Sequence, residues 1–467
     1  MHDDVAVVEQ DPTGLRGAFA APRLDFLGLA QIFVDRLQDG FDLAVGAGAG
    51  DDKIIGERRY LTDIQQQDVF RLFFGENVRY SVCQLFRLQM RSRELISTQI
   101  RGIKYNMRTV MPKKRAVIAM SGGVDSSVAA GLLVEQGYEV IGITMRLWTE
   151  EDPEAARHHK RCCSVEDTAD ARAAADVLGV RHYVLNLERE FQADVVDHFV
   201  AEYSRGRTPN PCLSCNDRVK FRPLLEHAIA LEADYLATGH YVRVRHGEEA
   251  ELLRAVDPDK DQSYVLYTLG QAELSRTLFP VGEYPKAEIR NLAQEWSLPN
   301  ADKPDSVDIC FIPSGDYRAF VRDRVLVTAG DIVDLDGEAV GRHEGIIAYT
   351  IGQRRGLPAR GGEEPLFVVN VDADENRVVV GPQSELMATD LIADNLTWVS
   401  GQPPAPGANV QARIRYRAVP SAATVEVAGG TATVRFEKPQ RAVTPGQAVV
   451  LYDGERVLGG GTIVERL

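Results

Sequence analysis

Three cysteines in the 467-residue sequence have the spacing of reactive or metal-binding thiols. Cys212 and Cys215 form a Cys-x-x-Cys pair in a loop that Pro209 and Pro211 stiffen, and Cys310 lies far along the chain. The sequence has six cysteines in total, too few for a disulfide framework in a chain of this length. Thiols in this pattern could hold zinc, act as a redox pair or transfer sulfur.

These three chemistries make different demands on the sequence. A closed zinc site needs four ligands, and no fourth is evident, because Cys162 and Cys163 are adjacent and Cys83 stands alone. A thioredoxin-like redox pair fits the Cys-x-x-Cys spacing but has no use for a nucleotide loop. Sulfur transfer needs one cysteine that carries a persulfide and a second that attacks it or resolves it as a disulfide.

A nucleotide loop is the second chemical feature. The run Ser121-Gly122-Gly123-Val124-Asp125-Ser126 follows an apolar segment over residues 116–120 and precedes an Ala/Leu-rich segment. Glycines allow close approach of a ligand, and the amides at a helix start form an anion nest. No Gly-Lys-Ser/Thr follows, so the run is not a Walker loop.

The segments around this loop alternate between strand and helix patterns, which predicts an α/β fold with a doubly wound parallel sheet. Predicted strands cover residues 116–120, 139–144, 182–187 and 235–237. Predicted helices run from the loop to about residue 137, over 167–178, near 191–203 and near 221–231. The loop then lies where the first strand meets the first helix, the usual phosphate site of such sheets.

Beyond about residue 313 the pattern changes to short strands separated by Gly, Asp and Pro turns. We expect a catalytic domain over 111–312, a small central domain over 313–389 and a C-terminal β-barrel over 390–467. Alternation over residues 410–417 predicts one strand with Arg413, Arg415 and Arg417 on one face, either a track for phosphates or a solvated barrel face.

Residues 1–110 lack consistent periodicity and any catalytic motif. They are interpreted as an accessory nucleic-acid arm, a poorly ordered extension, or upstream sequence translated from a start assigned too early, with Met107 or Met111 the true start. The extension and mis-assigned start are favoured over the arm. Function is therefore expected to reside in residues 111–467.

The net charge of −15, from 53 basic and 68 acidic residues, argues against a protein that coats nucleic acid through bulk charge, although a local basic groove is compatible with it. No apolar run approaches the roughly 20 residues that span a bilayer. The acidic amino terminus does not match a secretory signal. These features predict a cytoplasmic protein that does not associate with membranes.

The nucleotide loop resembles the PP-loop of the ATP pyrophosphatases. From residue 112 to 467, the sequence closely resembles the tRNA-specific 2-thiouridylases. The resemblance rests on residues 120–127, Arg146-Leu147-Trp148, Cys162-Cys163-Ser164, 206–216, 237–241, 260–264, Ile309-Cys310-Phe311, 349–354 and Arg415-Tyr416.

The resemblance implies a role for each matching position. It makes Cys215 the nucleophile and Cys310 the residue that receives persulfide sulfur. The implied ATP contacts are Ala119, Met120, Ser121, Gly122, Gly123, Val124, Asp125, Ser126, Met145 and Gly239. The implied tRNA contacts are Asn210, Pro211 and Cys212, against the target base, and His240, Lys260, Asp261, Gln262, Arg415, Tyr416 and Gln447. Mg²⁺ would accompany ATP, with Asp125 either organising it or capping the helix.

Position 212 departs from part of the family, because some members have aspartate there. Cys212 cannot replace a carboxylate as acid or base, but it could join Cys215 and Cys310 as ligands of an iron–sulfur cluster. A persulfide route without a cluster is the preferred expectation.

The resemblance therefore implies ATP-dependent 2-thiolation of the wobble uridine of tRNA, with a sulfur-carrier or persulfide-donor protein as partner. Two other functions stay open on the residues alone. One is another PP-loop adenylylating enzyme, such as an amide-forming synthetase, which would not need Cys215 and Cys310. The other is a zinc-containing RNA-binding protein without enzymatic activity.

Overall fold

The computed structural model describes residues 113–148, 165–305, 309–312, 315–358 and 364–467. They all belong to one compact unit, Val110–Leu467. The expectations for residues 1–110, Cys83, Cys162 and Cys163 lie outside these ranges. Within these ranges, no helix is long and apolar enough to cross a membrane.

A parallel sheet forms the first part of this unit. Its strands, in spatial order, are β3 (Arg181–Asn186), β2 (Glu139–Arg146), β1 (Arg115–Ala119), β4 (Tyr235–Thr238) and β7 (Thr277–Leu278). β1 pairs in parallel with β2 on one side and with β4 on the other. The chain therefore reverses its direction of sheet growth at β1, which makes the carboxyl end of β1 the switch point where such sheets bind ligands.

The side chains of β1 enter two different apolar cores. Val117 and Ala119 belong to one cluster, and Ala116 and Ile118 belong to the other. Successive side chains of a strand point to opposite faces, so both faces of this sheet are covered. This explains why the segment reads as a continuous apolar run rather than an alternating one, as the sequence predicts.

Helices cover both faces of the sheet. They are α1 (Val124–Glu135), α2 (Val165–Leu178), α3 (Glu188–Phe191), α4 (His198–Ser204), α5 (Pro211–Ser214), α6 (Arg222–Ala230), α7 (Gln271–Leu274) and α8 (Lys286–Glu295). The predicted helices near 191–203 and 221–231 are present, but π-helical turns over Gln192–Asp197 and Cys215–Phe221 adjoin them. π-turns are frequent at functional sites, and the second one begins at Cys215.

The central domain is a small sheet with one helix. After α9 (Tyr317–Arg322) come β8 (Gly330–Val333), β9 (Ala339–His343), β10 (Phe367–Asp372) and β11 (Arg377–Gly381), in the order β10-β11-β8-β9. Its core includes Ile332, Val368, Val378 and Val380, all buried.

The C-terminal domain is a closed six-stranded barrel, as the sequence predicts. Its strands are β12 (Met387–Trp398), β13 (Ala408–Arg413), β14 (Ser421–Ala428), β15 (Thr431–Arg441), β16 (Ala448–Asp453) and β17 (Arg456–Arg466). Pairing of β12 with β17 closes the ring. A hairpin of β5 (Val242–Arg245) and β6 (Glu251–Arg254), from the first part of the unit, adds to the same sheet through β17.

The predicted strand over residues 410–417 is wrong in its second half. β13 ends at Arg413, and residues 415–418 form a turn. Arg413 lies in an ion pair with Asp261, with 3.1 Å between Nη1 and Oδ2, and its side chain is only 12% exposed. Because Arg413 pairs with a buried carboxylate, it does not share an exposed strand face with Arg415 and Arg417. The predicted single basic face therefore does not form.

Candidate functional site

The loop between β1 and α1 forms a hydrogen-bonded cradle. The Ser121 amide donates to Ser126 Oγ at 3.1 Å, and the Ser126 and Ser127 hydroxyls both donate to the Gly123 carbonyl, at 3.0 and 3.2 Å. In the part of the chain that the structure describes, no side chain caps the amino end of α1. The amides of its first turn lack intrahelical partners and carry the positive end of the helix dipole, which suits an anion.

A later segment, residues 300–305, clamps this cradle from outside. Asn300 Nδ2 donates to the Gly122 carbonyl at 3.0 Å and to Ser127 Oγ at 2.9 Å. Lys303 Nζ donates to the same carbonyl at 3.3 Å and pairs with Asp167 and Asp170. Gly122 adopts φ +74°, and a Cβ there would overlap the Asp167 carbonyl. The loop is therefore fixed on both sides.

Asp125 belongs to an ion network rather than to a helix cap. Gly123, not Asp125, is the N-cap residue of α1, so the alternative prediction that Asp125 caps this helix is wrong. Lys286 Nζ donates to both oxygens of Asp125, at 2.7 and 2.8 Å, and the Tyr241 hydroxyl donates to Oδ1 at 2.7 Å. Burial and the Asp125 charge raise the pKa of Tyr241, so it stays a neutral donor.

The network continues to Asp305, five residues before Cys310. Lys260, Lys286 and Arg290 each pair with its carboxylate at 2.8 Å. Desolvation alone would raise the pKa of Asp305, but hydrogen bonds and charge from Lys260 and Lys286 outweigh it and lower the pKa to about 2. The side chain of Lys286 is 11% exposed, so the cation that joins Asp125 to Asp305 is largely buried.

The remaining residues of the predicted nucleotide site surround the same strand ends. Ala119, Met120 and Val124 are buried, and Met145 is buried near the end of β2. Gly239 lies against the start of α1, where a Cβ would be 2.7 Å from the Ser126 nitrogen. The structure therefore brings the predicted ATP residues together, and it gives Gly239 a packing reason that does not require a nucleotide.

The cysteine loop is shaped by local capping. Asn210 Oδ1 accepts from the Cys212 amide at 3.1 Å, and Pro211 occupies the first turn of α5. Cys212 is exposed, whereas Cys215 is 5% exposed at the start of the π-turn. The loop thus presents Cys212 to solvent and turns Cys215 inward.

Cys215 and Cys310 share one apolar cluster despite their separation in sequence. Cys215 is a buried member of the cluster, and Cys310 is partly buried and packs against it. Phe311 anchors the second segment, because its ring lies 5.6 Å from that of Phe191 and 5.4 Å from that of Phe199, between centroids. An aromatic anchor next to Cys310 holds this thiol at the edge of the cluster.

Predicted tRNA residues converge around Tyr416. Burial raises the pKa of the Tyr416 hydroxyl, and Arg413, Asp261, Cys212 and Lys260 are its electrostatic neighbours. Asp261 is itself buried and accepts a hydrogen bond from Ser263 Oγ at 2.8 Å. Arg413, which pairs with Asp261, lies 5.7 Å from the Tyr416 ring centroid, so Asp261 has internal partners next to Tyr416.

The other predicted tRNA residues also make internal contacts. Gln262 Oε1 accepts from the Tyr241 amide at 2.8 Å, and Arg415 Nη2 donates to the carbonyls of Arg441 and Ala442. Gln447 Nε2 donates to the Thr208 carbonyl at 2.6 Å. His240 Nδ1 lies 2.8 Å from Thr238 Oγ1, and burial lowers the pKa of His240 to about 3, so its imidazole is neutral.

The described ranges contain no group of three His, Cys, Asp or Glu side chains that could hold a metal ion. Within these ranges, Cys212, Cys215 and Cys310 do not lie together as such a group. The same finding gives no support to a zinc site in these ranges. Both oxygens of Asp125 are already engaged by Lys286, so Asp125 is not part of a preformed magnesium site.

Sequence reasoning missed the clamp and the ion network. Asn300, Lys303, Lys286 and Arg290 have no motif, and their partners are more than ten residues away in sequence. The one available signal was the position of Asp305 shortly before Cys310.

Three family models match successive parts of this architecture. The family models described as tRNA methyl transferase HUP domain, tRNA methyl transferase PRC-barrel domain and Aminomethyltransferase beta-barrel domain match residues 114–314, 318–382 and 388–463. Among solved structures, a 4-thiouridine synthetase–RNA complex with bound ATP matches with TM-score 0.30 and 18% identity, over 45% of this chain and 50% of that one.

Curated relatives match over nearly their whole length. The tRNA-specific 2-thiouridylase MnmA of Carboxydothermus hydrogenoformans is 47% identical over 364 residues, which is 77% of this chain and 100% of that protein. The proteins of the same name from Geobacter metallireducens and Roseiflexus castenholzii are 50% and 49% identical, over 76% and 75% of this chain and 98% and 99% of theirs. The PP-loop-like sheet, central domain and closed barrel follow one another in the order of the three family models. With this identity and coverage, the chain belongs to the tRNA-specific 2-thiouridylase family.

Proposed function

We propose that the chain catalyses ATP-dependent 2-thiolation of the wobble uridine, position 34, of tRNA. The name of the curated relatives supports the reaction type and the tRNA substrate. The observation that carries the proposal is the shared cluster of Cys215 and Cys310, together with the clamp residue Asn300, which lies ten residues before Cys310 and contacts the nucleotide loop. An amide-forming synthetase would have no use for these two thiols.

In the first step, the C2 oxygen of the uridine attacks the α-phosphorus of ATP, and the bond to the β-phosphate oxygen breaks. Pyrophosphate leaves, and the C2 oxygen becomes part of an AMP leaving group. The amides at the start of α1 and the Ser121 and Ser126 hydroxyls would hold the phosphates. Mg²⁺ would arrive bound to the triphosphate and offset its charge, because Mg²⁺ commonly uses substrate phosphates and water as ligands.

In the second step, sulfur replaces the activated oxygen. The terminal sulfur of a Cys310 persulfide, or hydrosulfide released when Cys215 attacks that persulfide, attacks C2 and displaces AMP. In the first route, Cys215 then attacks Cys310 Sγ, which breaks the sulfur–sulfur bond to the base and frees 2-thiouridine. Either route leaves 2-thiouridine and one Cys215–Cys310 disulfide, which a cellular thiol must reduce before the next turnover. A sulfur-carrier or persulfide-donor protein would reload Cys310. No step is assigned to an iron–sulfur cluster.

The target base must leave the anticodon stack to reach these groups. Asn210, Pro211 and Cys212 would lie against it, since they precede Cys215 on the same loop. Lys260 and Tyr416 would contact the RNA by family resemblance, and Asp261 would act by fixing Arg413 in place. Met145 and Gly239 would line the adenine side of the ATP site by family resemblance.

The two cysteines can be separated by measuring each step. Cys215→Ser and Cys310→Ser variants are expected to lose tRNA thiolation by more than about 100-fold, because each lacks one sulfur of the persulfide–disulfide exchange. Both should still release pyrophosphate in a tRNA-dependent reaction, because neither thiol takes part in adenylylation. The measurements are nucleoside mass spectrometry and pyrophosphate release, with Cys83→Ser as the matched control. Full thiolation by either active-site variant contradicts the mechanism.

A further inference from the structure

The barrel touches the loop that carries Cys212 and Cys215. The Thr208 amide donates to the Pro445 carbonyl at 3.0 Å, and Gln447 Nε2 donates to the Thr208 carbonyl at 2.6 Å. Both backbone polar groups of Thr208 are thus held by one barrel turn, residues 445–447. The turn lies more than 200 residues away in sequence.

Close approach at this contact requires glycine. Gly446 adopts φ +89°, and a Cβ there would lie 2.9 Å from the Thr208 nitrogen. The turn is itself fixed to β17, because the Gly446 amide donates to the Ile463 carbonyl at 2.9 Å and the Ile463 amide donates to the Gln447 carbonyl at 2.8 Å. The barrel therefore offers Thr208 a rigid partner.

The path from Thr208 to the thiols is short and stiff. Pro209 follows Thr208 directly, Asn210 then caps α5 through the Cys212 amide, and Pro211 begins that helix. Proline restricts both its own φ and the residue before it. A displacement at Thr208 is therefore transmitted to Cys212 and Cys215 rather than absorbed between them.

We propose that Gln447 is a positioning residue, which holds the Thr208 carbonyl so that the barrel sets the geometry of the Cys212–Cys215 loop. This role differs from the direct tRNA contact that family resemblance implies for Gln447. The expected effect of Gln447 on turnover rests on the proposed function. Its expected effect on the Cys212–Cys215 loop does not, because the accessibility of the loop can be measured without substrates.

The test compares Gln447→Leu with Gln402→Leu, an exposed barrel-domain glutamine. Without ATP or tRNA, the rate of Cys215 alkylation by iodoacetamide is followed by peptide mass spectrometry. Gln447→Leu is expected to raise this rate about fivefold or more, because Cys215 is buried only while the loop is held.

The same variant should lower kcat for thiolation about tenfold and leave the Kd for tRNA within about twofold, since misplaced reacting groups slow chemistry more than binding. Gln402→Leu should change none of these.

Unchanged Cys215 alkylation overturns the positioning role, whether or not tRNA binding weakens. Weaker tRNA binding with unchanged alkylation would assign Gln447 to direct contact with tRNA instead. If Gln447→Leu lowers the melting temperature strongly, Gln447→Glu keeps the side-chain length while it removes the donor, and the same outcomes apply. Absence of thiolation by the wild type would count against the proposed function alone, because the alkylation comparison uses no substrate.

Discussion

At the scale of single residues, His240 shows how burial fixes a protonation state near the site. Its imidazole lies 2.8 Å from Thr238 Oγ1 and packs on the Phe221 ring, with 5.9 Å between centroids. Desolvation and the charge of Lys220 lower its pKa from 6.5 to about 3. Below pH 6.5 the unfolded chain binds a proton here that the folded protein does not. The free energy of unfolding therefore decreases as the pH is lowered from 6.5 to about 3.

Replacing His240 should therefore flatten the acid dependence of stability. Between pH 7.5 and pH 5, the wild type is expected to lose roughly 1–2 kcal/mol more of its free energy of unfolding than His240→Phe, because one pKa unit corresponds to about 1.4 kcal/mol. Urea denaturation at the two pH values measures the difference. His227→Phe, at an exposed histidine, should keep the wild-type slope. Equal slopes for wild type and His240→Phe would refute the partly buried, neutral imidazole.

At the scale of elements, α1 and α8 meet through Lys286. Its ammonium joins Asp125, in the first turn of α1, to Asp305, which precedes the Cys310 segment. A triphosphate at the amino end of α1 would bring further negative charge beside these two carboxylates. Lys286 is a largely buried cation between these carboxylates, so it can balance part of this charge.

Lys286→Met should therefore impair the ATP step. We expect tRNA-dependent AMP formation to fall by more than about 100-fold, because the substitution removes the cation and leaves two carboxylates near the phosphates. The Kd for tRNA should change by less than about twofold. The matched control is Lys113→Met, an exposed lysine before β1, at the opposite end of that strand. AMP formation within twofold of the wild type would show that Lys286 has no part in ATP use.

At the scale of the whole molecule, the barrel and the parallel-sheet domain are joined by buried polar contacts. Asp261 pairs with Arg413 of β13, and the Tyr264 hydroxyl donates to the Ala448 carbonyl at 2.9 Å. The Asp261 and Arg413 side chains are 6% and 12% exposed. Removing one partner of such a pair leaves the other charge buried and uncompensated.

Arg413→Met is accordingly expected to lower the free energy of unfolding by about 3–5 kcal/mol. The double variant with Asp261→Asn should lose less than the sum of the two single variants, because the second change removes the stranded charge. Urea denaturation measures all three proteins. Arg435→Met provides the control, since Arg435 is exposed and its pairs with the partly exposed Asp390 and the exposed Glu426 contribute about 0–1 kcal/mol. A loss for Arg413→Met as small as the control's would contradict the buried pair.

The features of the fold that the sequence predicted correctly are those encoded by local residue patterns. The apolar run of β1, the glycine loop and the turn-rich C-terminal half were sufficient for the α/β fold and the barrel. The roles of Lys286, Asn300 and Lys303 were not predictable, because single charged or amide side chains show no periodicity and gain meaning only from tertiary partners. Arg413 illustrates the same limit: alternation placed it on one face with Arg415 and Arg417, either a phosphate track or a solvated face, but it pairs with a buried carboxylate of another domain.

The uneven distribution of charge along the chain bears on how tRNA binds. Residues 1–110 hold 14 basic and 15 acidic side chains, so nearly all of the net charge of −15 belongs to the rest of the chain. The family models begin at residue 114. tRNA must therefore bind this acidic body through local cationic positions.

The central claim is that this chain thiolates tRNA at the wobble uridine with ATP and persulfide sulfur. The most direct test incubates the full-length protein with unmodified tRNA, ATP and a persulfide donor, and then quantifies nucleosides by mass spectrometry. The account predicts 2-thiouridine at position 34, formed only when ATP is present and accompanied by one AMP per sulfur transferred. Absence of 2-thiouridine under these conditions, or its formation without ATP, would contradict the account.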